Sequence, residues 1–395
     1  MKNFFRGLLI FICVAVIAAA FAACADKGVG ETADEETTQA QSVEKQEEEL
    51  ISEGRFYYNR LSDVEKKAYD RIISKIYEMP DEVYIPRLDD KQLDTVFAAI
   101  LRDNPDIFFT GRQVSRREIG FGLLCSIDYI FTKEEYEVRK AELDAVCDEV
   151  IASLSDPDDE WQTELEIHDY IIGNCSYDIA ENNHVYSSAY GALVNGEAAC
   201  EGYSKAMQLL LDRAGIENYV ICGDATNQDG ETGPHMWNIV KINGDFYHLD
   251  CTWDDPKGDG SENHLYFNVN DETISKTHSG FLTDFECTAT AENYYNKMGT
   301  ALGKYNSSHK KKMISVVARE INAGHRGVEF LFGSGSDAQK AYDALINGDM
   351  TDYRAISSEA EVDFKKINPT NEILKHLNLV QIHWNMQTEG TDANG

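Results

Sequence analysis

Basic residues are scarce in this sequence. Lys and Arg number 36 against 69 Asp and Glu, giving a formal net charge of −33 over 395 residues. So acidic a chain repels phosphate backbones and anionic headgroups, which argues against nucleic-acid partners and electrostatic docking on acidic lipid. A solvated, self-repelling surface accounts for the charge; attraction for cationic, amine-bearing substrates is the sharper use of it. No Cys-x-x-Cys pair or Cys/His cluster with zinc spacing occurs, so no metal centre is indicated. Phe332 to Ser336 reads FGSGS but lacks the lysine of a phosphate-binding loop, and no cofactor is expected. The apolar run Leu8–Ala20 falls short of the roughly 20 residues that span a bilayer comfortably.

That run follows Lys2 and Arg6, so residues 1–23 read as a signal peptide. Ala20-Phe21-Ala22-Ala23-Cys24 resembles a bacterial lipobox, with Phe21 where leucine is usual. The resemblance implies that Cys24 is lipidated and that the exported body is anchored to the cell membrane. Ordinary cleavage after Ala22 or Ala25, with secretion, is the alternative. Residues 24–54 are acidic, and the run from Ala25 to Glu53 has no aromatics, the composition of a disordered spacer. Beyond Cys13 and Cys24 seven cysteines remain, an odd number that leaves at least one thiol free in a monomer. Cys147 falls in a helical pattern and Cys222 and Cys251 on strands, as small core hydrophobes, with a disulfide left open.

The length suits two or three domains. Residues 55–154 read as an N-terminal α/β module. Ser62-x-x-Glu65 opens a helix from Leu61 to Met79, and Asp89 to Arg102 is a second. Glu118–Phe131 is one strand or a bent pair, and Thr132-x-x-Glu135 caps a long helix to Leu154. Tyr57, Tyr58, Phe108 and Phe109 suit a core or an aromatic groove. SDPDD at 155–159 breaks the chain, and residues 155–299 form the second domain. Residues 300–395 read as a small β-β-α-β module, with MISVV and VEFLF as strands, Ala338–Ile346 as helix and Leu379–Trp384 as closing strand.

The chemistry concentrates between Ser188 and Pro256. Ala206, Leu209, Leu210 and Ala214 recur at helical steps and Gly215 closes them, placing Cys200 near a helix N-terminus. Unpaired N–H groups there favour thiolate over a thiol that ordinarily titrates near ~8.5. Downstream, Asn243-Gly244 signals a type I′ hairpin in which Ile242 faces Asp245. Counting outward sets Trp237 opposite Asp250 and His235 opposite Thr252. His235, Trp237, Ile239, His248, Asp250 and Thr252 then share one face. His235 and Asp250 become diagonal neighbours roughly 7–8 Å apart, and a one-residue slip would separate them. A thiol, an imidazole and an orienting carboxylate are the parts of a nucleophilic site.

AYGALVNGEAACEGYSKAMQLLL, HMWNIVKINGDFYHLDCTWDD and the preceding IHDYIIGNCSYD resemble the bacterial transglutaminase-like superfamily, from about Trp161 to Phe267. The resemblance implies an α+β fold with a papain/transglutaminase-like core. The helix bearing the cysteine packs on an antiparallel sheet bearing histidine and aspartate, flanked by N-terminal and C-terminal α/β accessory modules. It implies Cys200 as nucleophile, His235 as base and Asp250 as orienter. The reaction stays open, since members crosslink, hydrolyse amides or have lost activity.

The remaining residues admit two readings each. The Tyr190 hydroxyl could sit near the oxyanion, or the ring could line the cleft wall; Trp237 would shield the pair from water. His168 and His248 compete as bases but suit structural roles, and His184 could rim the cleft. The glycine-rich loop from Asn227 to Pro234 could gate the site or merely connect. The expected substrate is a peptide or protein, cell-wall peptide included. A non-catalytic surface binding module of the same fold is the alternative.

Overall fold

Capping side chains set where the first helices begin. The computed structural model describes residues 55–178, 184–255, 263–281, 284–346, 351–360 and 367–386. The expected signal peptide, Cys24 and the spacer lie outside them. Ser62 and Glu65 form a capping box, and α1 spans Asp63–Ile76. Asp89 accepts from the Gln92 amide at the head of α2, Asp90–Asp103. Thr132 does the same for Glu135 at α3, Lys133–Ser153.

Between them, β1 (Val83–Pro86), β2 (Thr110–Ile119) and β3 (Gly122–Tyr129) form an antiparallel sheet of order β1-β3-β2. The stretch expected as one strand or a bent pair is thus a hairpin whose first arm starts earlier, at Thr110. Gly120 makes its turn at φ +55°. Tyr57, Phe108 and Phe109 are buried and Tyr58 packs against the same cluster, so these aromatics are core.

After α4 (Glu160–Asn174) and α5 (Cys200–Ala214) comes the sheet that matters for function. Its strands are β4 (Asn218–Thr226), β5 (Thr232–Ile242), β6 (Asp245–Leu249) and β7 (His278–Ser279), antiparallel in the order β6-β5-β4-β7. Asn243 and Gly244 take φ of +52° and +93°, as a type I′ turn requires, and Ile242 pairs with Asp245. The register is the expected one out to Asn238 opposite Leu249, where the ladder stops. Asp250 then turns to cap a short helix, α6 (Cys251–Asp254), taking the amides of Thr252 and Trp253. Cys251 and Thr252 are therefore helical, not strand residues. The stretch after His264 does not extend the sheet: it is a turn touching β6 at one bridge, Val269 to His248. The fourth strand is β7.

The last part corrects the sequence reading. β8 (Ala301–Gly303), β9 (Gly327–Phe332), β10 (Ile367–Leu374) and β11 (Leu379–Met386) form a sheet of order β8-β9-β11-β10. MISVV is not a strand. It belongs to α7 (Ser307–Ala323), which buries Met313, Ile314, Val317 and Ile321 at helical spacing and ends on Gly324 at φ +88°. The β-branched run suggested a strand, but the burial stripe has a helical period. α8 (Gly335–Ile346) and α9 (Thr351–Glu359) complete the module.

One continuous core runs from Tyr57 through α5 to Phe267 and so crosses the break at 155–159. The Tyr57 hydroxyl donates to the Val220 carbonyl at 2.9 Å, and Arg213 of α5 pairs with Asp144 of α3 at 2.5 Å. Among the described residues the seven cysteines are free thiols, and no helix is long and apolar enough to cross a membrane.

Candidate active site

Cys200 is the first residue of α5. Ala199 before it is extended, so the chain enters the helix abruptly; Gly202 already donates to the Ala199 carbonyl at 2.8 Å, while the amides of Cys200 and Glu201 precede any helical acceptor. Gly202 allows this entry: a Cβ there would lie 2.6 Å from the Tyr186 carbonyl and 2.7 Å from the Ala198 Cβ. Tyr203, Ala206, Met207, Leu210 and Leu211 bury the rest of the helix. Cys200 itself is partly exposed, whereas Cys125, Cys147, Cys175, Cys251 and Cys287 are buried.

His235 comes from β5 and Asp250 from the head of α6. His235 Nε2 lies 2.7 Å from Asp250 Oδ2, with both side chains buried. Asp250 Oδ1 accepts the amides of Thr252 at 3.0 Å and Trp253 at 3.3 Å. Burial works against this carboxylate, but the His235 charge and the imidazole hydrogen bonds outweigh it and hold Asp250 well below its ordinary range. An ionised carboxylate only accepts, so His235 Nε2 carries a proton and Nδ1 is left for another partner. Burial alone would lower the His235 pKa, yet the Asp250 charge and hydrogen bond, then hydrogen-bonding and charge interactions with Cys200, push it up to about 10.

Two bonds fix the helix against the sheet. Asn238 Nδ2, three residues along β5 from His235, donates to the Ser204 carbonyl at 3.0 Å. The Tyr203 hydroxyl donates to Asp255 Oδ2 at 2.6 Å, just beyond α6. Trp237 is fully buried, its ring stacked on His235 with centroids 6.0 Å apart, and its Nε1 donates to His248 Nδ1. It covers one face of the imidazole. His248 donates Nε2 to Asp271 at 3.0 Å and so is not the competing base. His168 sits buried between Asp169 at 2.9 Å and Asp254 at 3.2 Å, which gives it a structural place. His184 is exposed in a short 3-10 turn.

Tyr190 is not at the oxyanion position. Its ring stacks on Phe108, and its hydroxyl donates to Glu142 Oε2 at 2.5 Å and accepts from Arg139 Nη1 at 3.1 Å, both on α3. Three residues that the sequence reading did not single out do stand at the site. His278 bonds Asp250, and half-buried Trp253 lies 5.7 Å from the His235 ring. Tyr177, nearly half exposed, has its phenol raised by desolvation of its covered side and then by the Cys200 and Asp250 charges. The HLDCTWD motif carried a signal for Trp253; His278 sits in a two-residue strand and gave none.

Among the described residues three groups bring metal-ligand atoms within 4.8 Å of one another: His168-Asp169-His264, His235-Asp250-His278 and His248-Asp271-Cys287. Their hydrogen bonds argue against ions. Burial opposes a charge on His168, but the bonds and charges of Asp169 and Asp254 raise it to about 10, so neither nitrogen offers a lone pair. In the second group both imidazoles face Asp250 with N–H. In the third, His248 Nδ1 takes the Trp237 proton, so Nε2 carries its own.

Residues 144–251, a span including Cys200, His235 and Asp250, match the family model of the transglutaminase-like superfamily. The chain thus carries a transglutaminase-like domain in an α+β fold, which points to cysteine-protease-like or transglutaminase chemistry. Solved structures similar to it include a TGase, at 16% identity over 42% of this chain and 48% of that one, with a TM-score of 0.26. Others are a candidate cysteine protease from Cytophaga hutchinsonii (11%, 35% and 61%, TM-score 0.24) and the periplasmic domain of TgpA from Pseudomonas aeruginosa (14%, 35% and 62%, TM-score 0.21). This chain spans about half to three-fifths of the length of those three proteins. No curated protein sequence matches it.

Proposed function

We propose that this protein is an exported, membrane-anchored cysteine enzyme that acts on amide or peptide bonds through Cys200, His235 and Asp250. The observation that carries the reading is the imidazole of His235, held by Asp250 on one nitrogen and influenced by the Cys200 thiol. In the resting pair the thiol has already given its proton to His235 Nδ1, and the thiolate attacks the substrate carbonyl. The Cys200 amide, at the head of α5, donates to the resulting oxyanion. The tetrahedral intermediate collapses, the imidazolium gives its proton to the leaving amine, and an acyl-enzyme thioester remains. Water then releases an acid, or a second amine takes the acyl group. Asp250 keeps the ring oriented throughout.

Hydrolysis is the favoured outcome at a cell surface, where water is abundant. Peptide or protein, including cell-wall peptide, is the proposed substrate. Lipidation at Cys24 supplies the proposed anchor. The test is incubation of wild type and Cys200→Ala with a peptide library and a fluorescent primary amine. Cys200-dependent cleavage identifies a protease or amidase, and Cys200-dependent amine incorporation a transferase. No turnover by either route would favour the non-catalytic binding module.

A further inference from the structure

Asp250 holds a second imidazole. His278 Nε2 lies 3.1 Å from Asp250 Oδ2, the same oxygen that takes His235 Nε2 at 2.7 Å. Because Asp250 is ionised and only accepts, both nitrogens donate and the two rings share one oxygen. On its far side His278 Nδ1 lies 2.9 Å from Thr277 Oγ1, which lies 3.1 Å from the Tyr266 hydroxyl. The rings of Trp253 at 4.8 Å, Trp237 at 4.9 Å and Tyr266 at 5.4 Å box it in, and its side chain is fully buried. Many buried histidines are simply satisfied core residues. This one satisfies itself on the atom that governs His235.

We propose that His278 is a positioning residue for the reaction: by sharing Asp250 Oδ2, it limits how tightly Asp250 holds the proton on His235. The inference rests on the Cys200-His235-Asp250 reading above. A proton carrier must also release its proton to the leaving amine, and an imidazolium bound too strongly is a poor acid. With His278 absent, Oδ2 belongs to His235 alone and the carboxylate is more basic toward it. The titratable groups facing His235 are Asp250, His278 and Cys200; those facing His278 are Asp250, His235, His248 and Tyr266.

The test needs no substrate. The rate of Cys200 alkylation by iodoacetamide is followed in the full chain by peptide mass spectrometry, across about pH 5 to 11. In wild type an upper inflection is expected as His235 loses its proton. His278→Phe removes the donor, and the shorter, polar His278→Asn withdraws it from the Nε2 position. Each should raise the upper inflection, by on the order of half a unit to one unit. His278→Gln, which retains a donor at the right reach, should leave it in place. Melting curves identify variants that fail to fold, and either of these two variants suffices. An unmoved upper inflection in the folded variants, or a shift in His278→Gln as large as in His278→Phe, overturns the proposal. A wild-type profile that His235→Ala leaves unchanged overturns the underlying three-residue reading instead.

Discussion

Asn238 reaches from β5 to the main chain of α5, donating Nδ2 to the Ser204 carbonyl at 3.0 Å. Ser204 in turn donates its hydroxyl to the Cys200 carbonyl at 2.9 Å. The strand that carries His235 is thereby pinned to the helix that carries Cys200. Asn238→Leu should cost about 1–3 kcal/mol in denaturant unfolding, the size of a buried polar loss. It should also slow Cys200 alkylation near neutral pH, because the imidazole drifts from the thiol.

The Asp250–His235 pair predicts a stability window. The His235 pKa stands raised, from 6.5 to about 10, so its contribution is complete below about 6.5 and is lost as pH climbs through about 10. The Asp250 pKa stands depressed from 3.8, so its contribution is present above about 3.8 and is lost as pH falls further. Asp250→Asn removes both. Urea unfolding of the two proteins should show a gap of about 3–5 kcal/mol between about pH 4 and 6.5, shrinking on either side.

Glu164 predicts a drift of the opposite origin. It is fully buried, accepts one hydrogen bond from Asn268 at 2.6 Å, and leaves Oε1 without a partner. Burial raises its carboxyl to about 8 from an ordinary 4.5, against the Asn268 bond and the His168 charge. The folded state therefore holds a proton that the unfolded state gives up, and stability falls as pH rises from about 4.5 to about 8. Glu164→Gln does not titrate. Its melting temperature relative to wild type should climb across that interval; parallel curves would contradict the assignment.

Tyr190→Phe separates the cleft wall from the reacting centre. Its hydroxyl serves Glu142 and Arg139, so the variant should lose about 1 kcal/mol of stability. Cys200 alkylation and any Cys200-dependent turnover should stay within about twofold of wild type. A large fall in turnover with unchanged stability would return the hydroxyl to the oxyanion.

How far the sequence was legible depends on the range of the forces involved. Asn243-Gly244 fixed the β5–β6 register by local turn chemistry and so placed His248, while strand alternation along β5 carried Trp237 and His235 onward beside β4. The caps Ser62, Asp89 and Thr132 are equally local, and their helices start as expected. Cys200 at a helix head followed from the period of α5. What stayed hidden was non-local. The Tyr190 hydroxyl is turned by residues 48 and 51 positions away, which no spacing rule reaches. His278 meets Asp250 from a strand two residues long, too short for periodicity to mark. Asp250 was expected on a strand because hairpin counting ignores that an aspartate can end a ladder by capping the next turn. In α7 a β-branched cluster masked a helical stripe.

The most direct test is competitive labelling of native wild type with iodoacetamide near neutral pH, read thiol by thiol by mass spectrometry. Cys200 should be alkylated faster than the six other described thiols by on the order of tenfold or more, and His235→Ala should abolish that lead. Slow labelling of Cys200 at the pace of Cys222, unchanged by loss of the imidazole, would contradict the account.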